Sequence, residues 1–155
     1  MRLPRLGAVL GAAIVVGGLA RQRIARFEVA EASMAPTLEP GDWIVATRMR
    51  RPHRGDVVVY PLGDIDLVKR VIGLPGQVIS IAGGQVHIDG ETLAEPWADG
   101  PTFPDGEWSL AGDEVFCLGD GRGRSSGDSR HVGPVVVGLI RWRVRAVYWP
   151  RLRLL

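Results

Sequence analysis

A mainly β body of short strands and many turns is the fold class this sequence predicts, and three observations predict it. Past Arg26, apolar residues recur in short β-branched runs or with period two, not with helical spacing. Gly, Pro and Asp bound those runs, and 21 glycines and 11 prolines punctuate the 155 residues. The single long apolar stretch, Leu6 to Ala20, lies ahead of them all.

Composition narrows the class further. At 46% hydrophobic and 23% charged, the chain is neither a disordered tail nor a polytopic membrane protein. Its net charge of +2 is too small an excess to argue for nucleic acid, and no nucleic-acid partner is expected. Cys117 is the only cysteine, which excludes an intramolecular disulfide and a cysteine-based metal cage. His53, His87 and His131 stand apart with no carboxylate at ligand spacing, so neither a metal nor any other cofactor is expected.

Taken in order, the first element is the 15-residue run Leu6 to Ala20, with Arg2 and Arg5 before it and Arg21, Arg23 and Arg26 after it. As a helix it spans about 22 Å against about 30 Å of bilayer hydrocarbon, a gap that snorkelling arginines cover. A membrane anchor is the favoured reading, over a cleaved signal peptide ending near Gly18-Leu19-Ala20 and over a buried core helix. Charge does not fix its orientation, because arginines flank both ends. Next come strand candidates at Trp43–Val45, Val57–Tyr60 and Leu67–Ile72, the last ended by Gly73-Leu74-Pro75-Gly76. Val78–Ile81 and Gln85–Ile88 flank Ala82-Gly83-Gly84 and read as a hairpin, with Asp89-Gly90 turning the chain again. Trp97–Gly112, rich in Pro, Gly and Asp, reads as a surface excursion. A short strand follows at Glu114–Leu118, then a polar loop from Gly119 to Gly133. Ile140, Trp142, Val144, Ala146 and Tyr148 alternate with Arg141, Arg143 and Arg145 in a half-exposed final strand.

Three segments carry candidate chemistry. Ser33-Met34-Ala35-Pro36-Thr37-Leu38, with Gly41-Asp42, precedes the Trp43 strand. Lys69 lies inside an otherwise apolar strand, where period two allows either a solvated or a desolvated lysine. Desolvation favours the neutral amine, which can take a proton from a serine hydroxyl. The loop Gly119-Asp120-Gly121-Arg122 to Ser126-Gly127-Asp128-Ser129-Arg130 is dense enough in hydroxyls and charges to orient an amine and brace itself. No nucleophile elbow or phosphate-binding glycine loop is present.

These boxes, in this order and with Arg54-Gly55-Asp56-Val57-Val58-Val59 between the first two, resemble the bacterial type I signal peptidases, membrane-bound Ser-Lys endopeptidases. The resemblance covers about residues 29–150. It implies a signal-peptidase-like, repressor-peptidase-like β fold of short coiled antiparallel sheets behind one N-terminal transmembrane helix. It implies Ser33 as nucleophile, Lys69 as general base and Met34 beside the nucleophile in a membrane-facing substrate region. Ser126 matches a serine that hydrogen-bonds the lysine, Asp128 and Arg130 match a loop-holding ion pair, and Arg70 follows the base as in the family. Signal peptides of preproteins and membrane lipid are the implied partners. The expected division is an anchor over 1–26 and an extracytoplasmic peptidase domain over 27–155, at the cell membrane. Departures from the pattern are Glu31 two residues before Ser33, Gln77 for an acid, Gly121 for an asparagine, and a loop before Asp128 one residue longer than usual. A processing peptidase with one dedicated substrate, and an inactive membrane-anchored peptide-binding β module, are the rival expectations.

Overall fold

The structure, a computed structural model, describes residues 23–155. The expected anchor over Leu6–Ala20 lies outside the described residues. Among the described residues no helix is long and apolar enough to cross a membrane.

The chain forms β1 (Ile24–Glu28), a 3-10 turn (Ala32–Met34), β2 (Trp43–Arg48), β3 (Val57–Leu62), β4 (Ile65–Gly73), β5 (Val78–Ala82), β6 (Gln85–Ile88), β7 (Glu91–Thr92), β8 (Gly106–Ser109) and β9 (Glu114–Leu118). Then come the short helix α1 (Ser129–Val132), β10 (Val135–Val136), β11 (Trp142–Trp149) and β12 (Arg153–Leu154). The larger sheet runs β1-β2-β11-β3-β4-β9-β10, with β12 on β11, and the smaller runs β7-β6-β5-β8. Every strand pair in both sheets is antiparallel. This is the mainly β, antiparallel body the sequence predicts.

β3 and β4 place the chemistry. Their registers pair Val58 with Lys69 and Leu67 with Tyr60, while Val71 faces Cys117 on β9. Directly paired residues share a sheet face, so Lys69 stands on the face of Val58, Tyr60, Val71 and Cys117. Those four belong to one buried apolar cluster with Val115, Val135 and Ile140. The opposite face carries Val57 and Val59, packed with Met34, Leu38, Ile44, Val144 and Val147. Around Lys69 both faces of the sheet are therefore covered, and only the Ser33 side opens to a cleft. A third cluster, around Ile72, Ile79, Phe116 and Leu118, joins the small sheet to the large one.

Two elements differ from expectation. The Trp97–Gly112 excursion contains a strand, β8, whose Trp108 pairs with Ile79 and packs on Phe116 at 4.8 Å. Trp108 and the buried Leu110 that follows the strand together supply the apolar area that seats it. β11 slips register between Val144 and Ala146 and again between Val147 and Trp149. The slips bury Val147 and leave Tyr148 exposed, against the period-two reading.

Candidate active site

Ser33 sits in the 3-10 turn after β1. The turn is closed by Ala35 N–H donating to the Ala32 carbonyl at 3.1 Å. Leu38 N–H donates to the Met34 carbonyl at 2.9 Å, and both side chains are sunk in the core. Met34 therefore anchors the turn in the core, 1% exposed, while also lining the cleft beside Ser33. The Ser33 carbonyl accepts from Gly121 N–H at 3.1 Å, which ties the turn to the polar loop.

Lys69 is 3% exposed and Ser33 8%. The Lys69 Nζ donates to Ser33 Oγ at 2.8 Å and to its neighbour's carbonyl, Val68 O, at 3.1 Å. Burial pushes the Lys69 amine below the ordinary lysine range. Asp128, Glu31 and Cys117 pull it partly back up, and Arg130 pushes it down. The Tyr60 hydroxyl, buried with no hydrogen-bond partner, is driven up by burial and then by Cys117 and Asp128, so it stays neutral.

Arg70, on the other face of β4, ties the lysine strand to the serine turn. Its Nε and Nη2 meet Asp120 Oδ1 and Oδ2 at 2.9 and 2.6 Å, Nη2 reaches Thr37 Oγ1 at 3.2 Å, and Nη1 reaches the Gly55 carbonyl at 2.8 Å. Its guanidinium also lies 4.8 Å from the Trp97 ring centroid.

Asp128 and Arg130 form a buried two-point pair, Nε to Oδ1 at 2.9 Å and Nη2 to Oδ2 at 2.8 Å. Asp128 also accepts from Gly119 N–H at 3.1 Å and Ser125 Oγ at 2.8 Å. Burial opposes its ionisation, but the hydrogen bonds from Arg130 and Ser125, the Arg130 charge and the Gly119 amide hold its carboxyl below the usual range. Arg130 Nη2 further donates to the Arg122 and Ser125 carbonyls, at 2.9 and 2.8 Å.

Among the described residues neither loop serine bonds Lys69, whose partners are Ser33 Oγ and the Val68 carbonyl. Ser126 is exposed, and among the described residues its side chain makes no hydrogen bond. Ser125 is 4% exposed, bonds Asp128, and crowds the same side of Gly119 as the Ser33 carbonyl. Gly121 also has a reason for carrying no side chain: a Cβ there would lie 2.8 Å from the Ala32 carbonyl. Gln77 accepts from Arg54 Nη2 and Leu74 N–H, at 3.0 and 2.9 Å, doing an acid's accepting work without its charge.

Sequence reasoning did not find Arg122. Fully enclosed, it meets both Glu95 oxygens, at 3.1 and 2.6 Å, donates to Gly119 O at 2.9 Å, and bonds Thr102. It fastens the excursion to the polar loop. Lone charges in a loop carry no signal of such pairing.

A hydroxyl bonded to a buried amine, at the floor of an open cleft, is equipment for nucleophilic attack on a carbonyl. The cleft, about 200 Å³, is lined by Ser33 and Lys69 together with residues 28–31, Met34 and 65–68. The family described as signal peptidase, peptidase S26, matches over residues 3–149. A signal peptidase I of Leptolyngbya laminosa is 34% identical over 139 residues, covering 79% of this chain and 67% of that one. A signal peptidase I of Bacillus caldolyticus is 33% identical, covering 76% of this chain and 75% of its own. The crystal structure of a signal peptidase I from Enterococcus faecalis V583 superposes with a TM-score of 0.53 at 25% identity, covering 59% of this chain and 95% of that one. The chain belongs to the signal peptidase family, peptidase S26.

Proposed function

We propose that the chain is a membrane-bound serine endopeptidase that removes signal peptides from exported preproteins, with Ser33 as nucleophile and Lys69 as general base. The observation that carries the reading is the 2.8 Å contact between a buried amine and a buried hydroxyl. Burial keeps the amine poised to lose its proton, which a base working near neutral pH requires.

With the neutral amine present, the Ser33 hydroxyl donates to Nζ and its oxygen attacks the scissile carbonyl. Lys69 takes the proton and returns it to the leaving amine, and an ester to Ser33 remains. Water, deprotonated by the same amine, then hydrolyses the ester. The Ser33 backbone N–H, in the first turn of its 3-10 helix, faces the developing oxyanion. Ser125 and the Asp128–Arg130 pair hold the loop against the dyad, and Arg70 fixes the spacing between the serine turn and β4. The preprotein lies extended in the cleft between residues 28–31 and 65–68. Residues 6–20 anchor the chain in the membrane, with the β domain on the extracytoplasmic side.

Purified full-length protein in detergent, incubated with a preprotein, should cut once at the signal junction, as read by mass spectrometry. Ser33→Ala and Lys69→Ala should each abolish the cut. Cleavage retained by either variant refutes the assignment.

A further inference from the structure

The sheet face that buries Lys69 does not end at the dyad. Tyr60 pairs with Leu67 and Leu62 with Ile65, so Lys69, Leu67, Ile65 and Leu62 all stand on one face of the β3–β4 hairpin. Cover on that face runs out along the strand. Lys69 is buried, and the polar loop still reaches Leu67, whose Cδ1 lies 3.7 Å from where a Cβ on Gly127 would stand. Beyond it, Ile65 is 59% exposed and Leu62 39%. An exposed apolar residue taken singly is ordinary. Here two are paired across neighbouring strands, and Ile65 lines the same cleft as Ser33 and Lys69.

The strand edge beside them is open too. β9 pairs with β4 only from Arg70 onward, so among the described residues no strand occupies the outer edge of residues 65–69. A peptide added along that edge as a strand matches β4 residue for residue. Four residues separate Ile65 from Lys69, about 13 Å of extended chain. With the last residue before the cut beside Lys69, the third falls beside Leu67 and the fifth beside Ile65, and those three side chains share a face. The second and fourth share the other face, with Val68 and Asp66. A signal peptide brings its apolar segment to the cut from upstream, ahead of a small-x-small junction. The enclosed end of the cleft, at Ser33 and the buried Met34, suits the small residues. The open apolar end, at Ile65, suits the last of the apolar segment.

We propose that Ile65 and Leu62 form a specificity site for a bulky apolar side chain at the fifth residue before the cut. The inference rests on the peptidase reading above. It adds a preference at a position upstream of the small residues, made by side chains that the dyad does not use.

The test uses full-length protein in detergent and quenched-fluorescence peptides with one fixed Ala-x-Ala junction. Leu or Ser is placed at the fifth or at the fourth position before the cut. At the fifth, Leu should exceed Ser in kcat/KM by about 10-fold, as a hydrophobic pocket discriminates. At the fourth, whose side chain faces away, the two should agree within about twofold. In Leu62→Ser/Ile65→Ser, checked for an unchanged melting temperature, the preference at the fifth position should fall to within about twofold. Leu62→Ser alone provides the readout if the double variant does not fold. Equal rates for Leu and Ser at the fifth position overturn the inference and leave the peptidase reading standing. An equal Leu preference at both positions overturns it as well, because partition into detergent alone gives that result. A preference that survives in the variants overturns the assignment to these residues. Variants that lose cosedimentation with phospholipid vesicles, with no change in peptide preference, assign the pair to the bilayer and overturn the inference. Cleavage of no peptide overturns both readings.

Discussion

Gly119 lies where the lysine-bearing sheet, the serine turn and the polar loop meet. A Cβ at this position would stand 2.4 Å from Ser125 Cβ, Ser125 Oγ and the Ser33 carbonyl oxygen. Comfortable contact begins near about 3.5 Å, so Gly119→Ala demands roughly 1 Å of movement. The Ser33 carbonyl cannot yield without turning the nucleophile's own backbone, and the Gly121 N–H bonded to it must follow. A displacement of about 1 Å at the reacting groups costs about 10²-fold in kcat, or about 2.7 kcal/mol of barrier. The same overpacking costs about 1–3 kcal/mol of stability, which at about 4 °C per kcal/mol lowers Tm by about 4–12 °C. Peptide turnover at saturating substrate gives the first quantity and a thermal melt the second. Gly112→Ala is the control, because a Cβ there meets nothing within 4 Å. A Gly119→Ala protein with kcat within about threefold of the parent and an unchanged Tm would refute the reasoning.

Three further outcomes are expected. Lys69→Met removes turnover yet raises Tm at neutral pH, because the parent bears the cost of burying a charged amine. With the folded-state value lowered, that cost is full below the folded pKa and disappears above the ordinary lysine range, so the variant's advantage in urea titrations should shrink as pH rises. Asp128→Asn leaves Arg130 buried without its counter-charge and should lose about 3–5 kcal/mol in the same titrations. Parent activity should fall as acid protonates Lys69, and Glu31→Gln, which removes a charge that raises the amine's pKa, should move the acid limb of the kcat/KM profile to lower pH.

The sequence makes the strands legible where one face is plainly apolar: Val57–Tyr60, the Gly83-Gly84 hairpin and Glu114–Leu118 all appear near their expected bounds. It leaves Lys69 ambiguous, because period two cannot say whether the lysine's face meets water. Only the packing of Tyr60, Cys117 and Val71 around β4 decides that. It does not say which of the adjacent Ser125 and Ser126 turns inward, which the Asp128 hydrogen bond to Ser125 decides. β8 is hidden because Trp108 and Leu110 lie in a stretch otherwise rich in Pro, Gly and Asp. Arg122 and Glu95 stand 27 positions apart, and nothing short-range couples them.

Cys117 shares the Lys69 face of the sheet and is wholly enclosed. Burial, and then Asp128, push its thiol up, while Lys69 pulls it down, so at neutral pH it is neither ionised nor reachable. A thiol reagent therefore modifies it only when the β4–β9 pairing beneath the base opens. Labelling kinetics at this single sulfur count those openings, and they measure how long the floor under Lys69 stays shut without any substrate present.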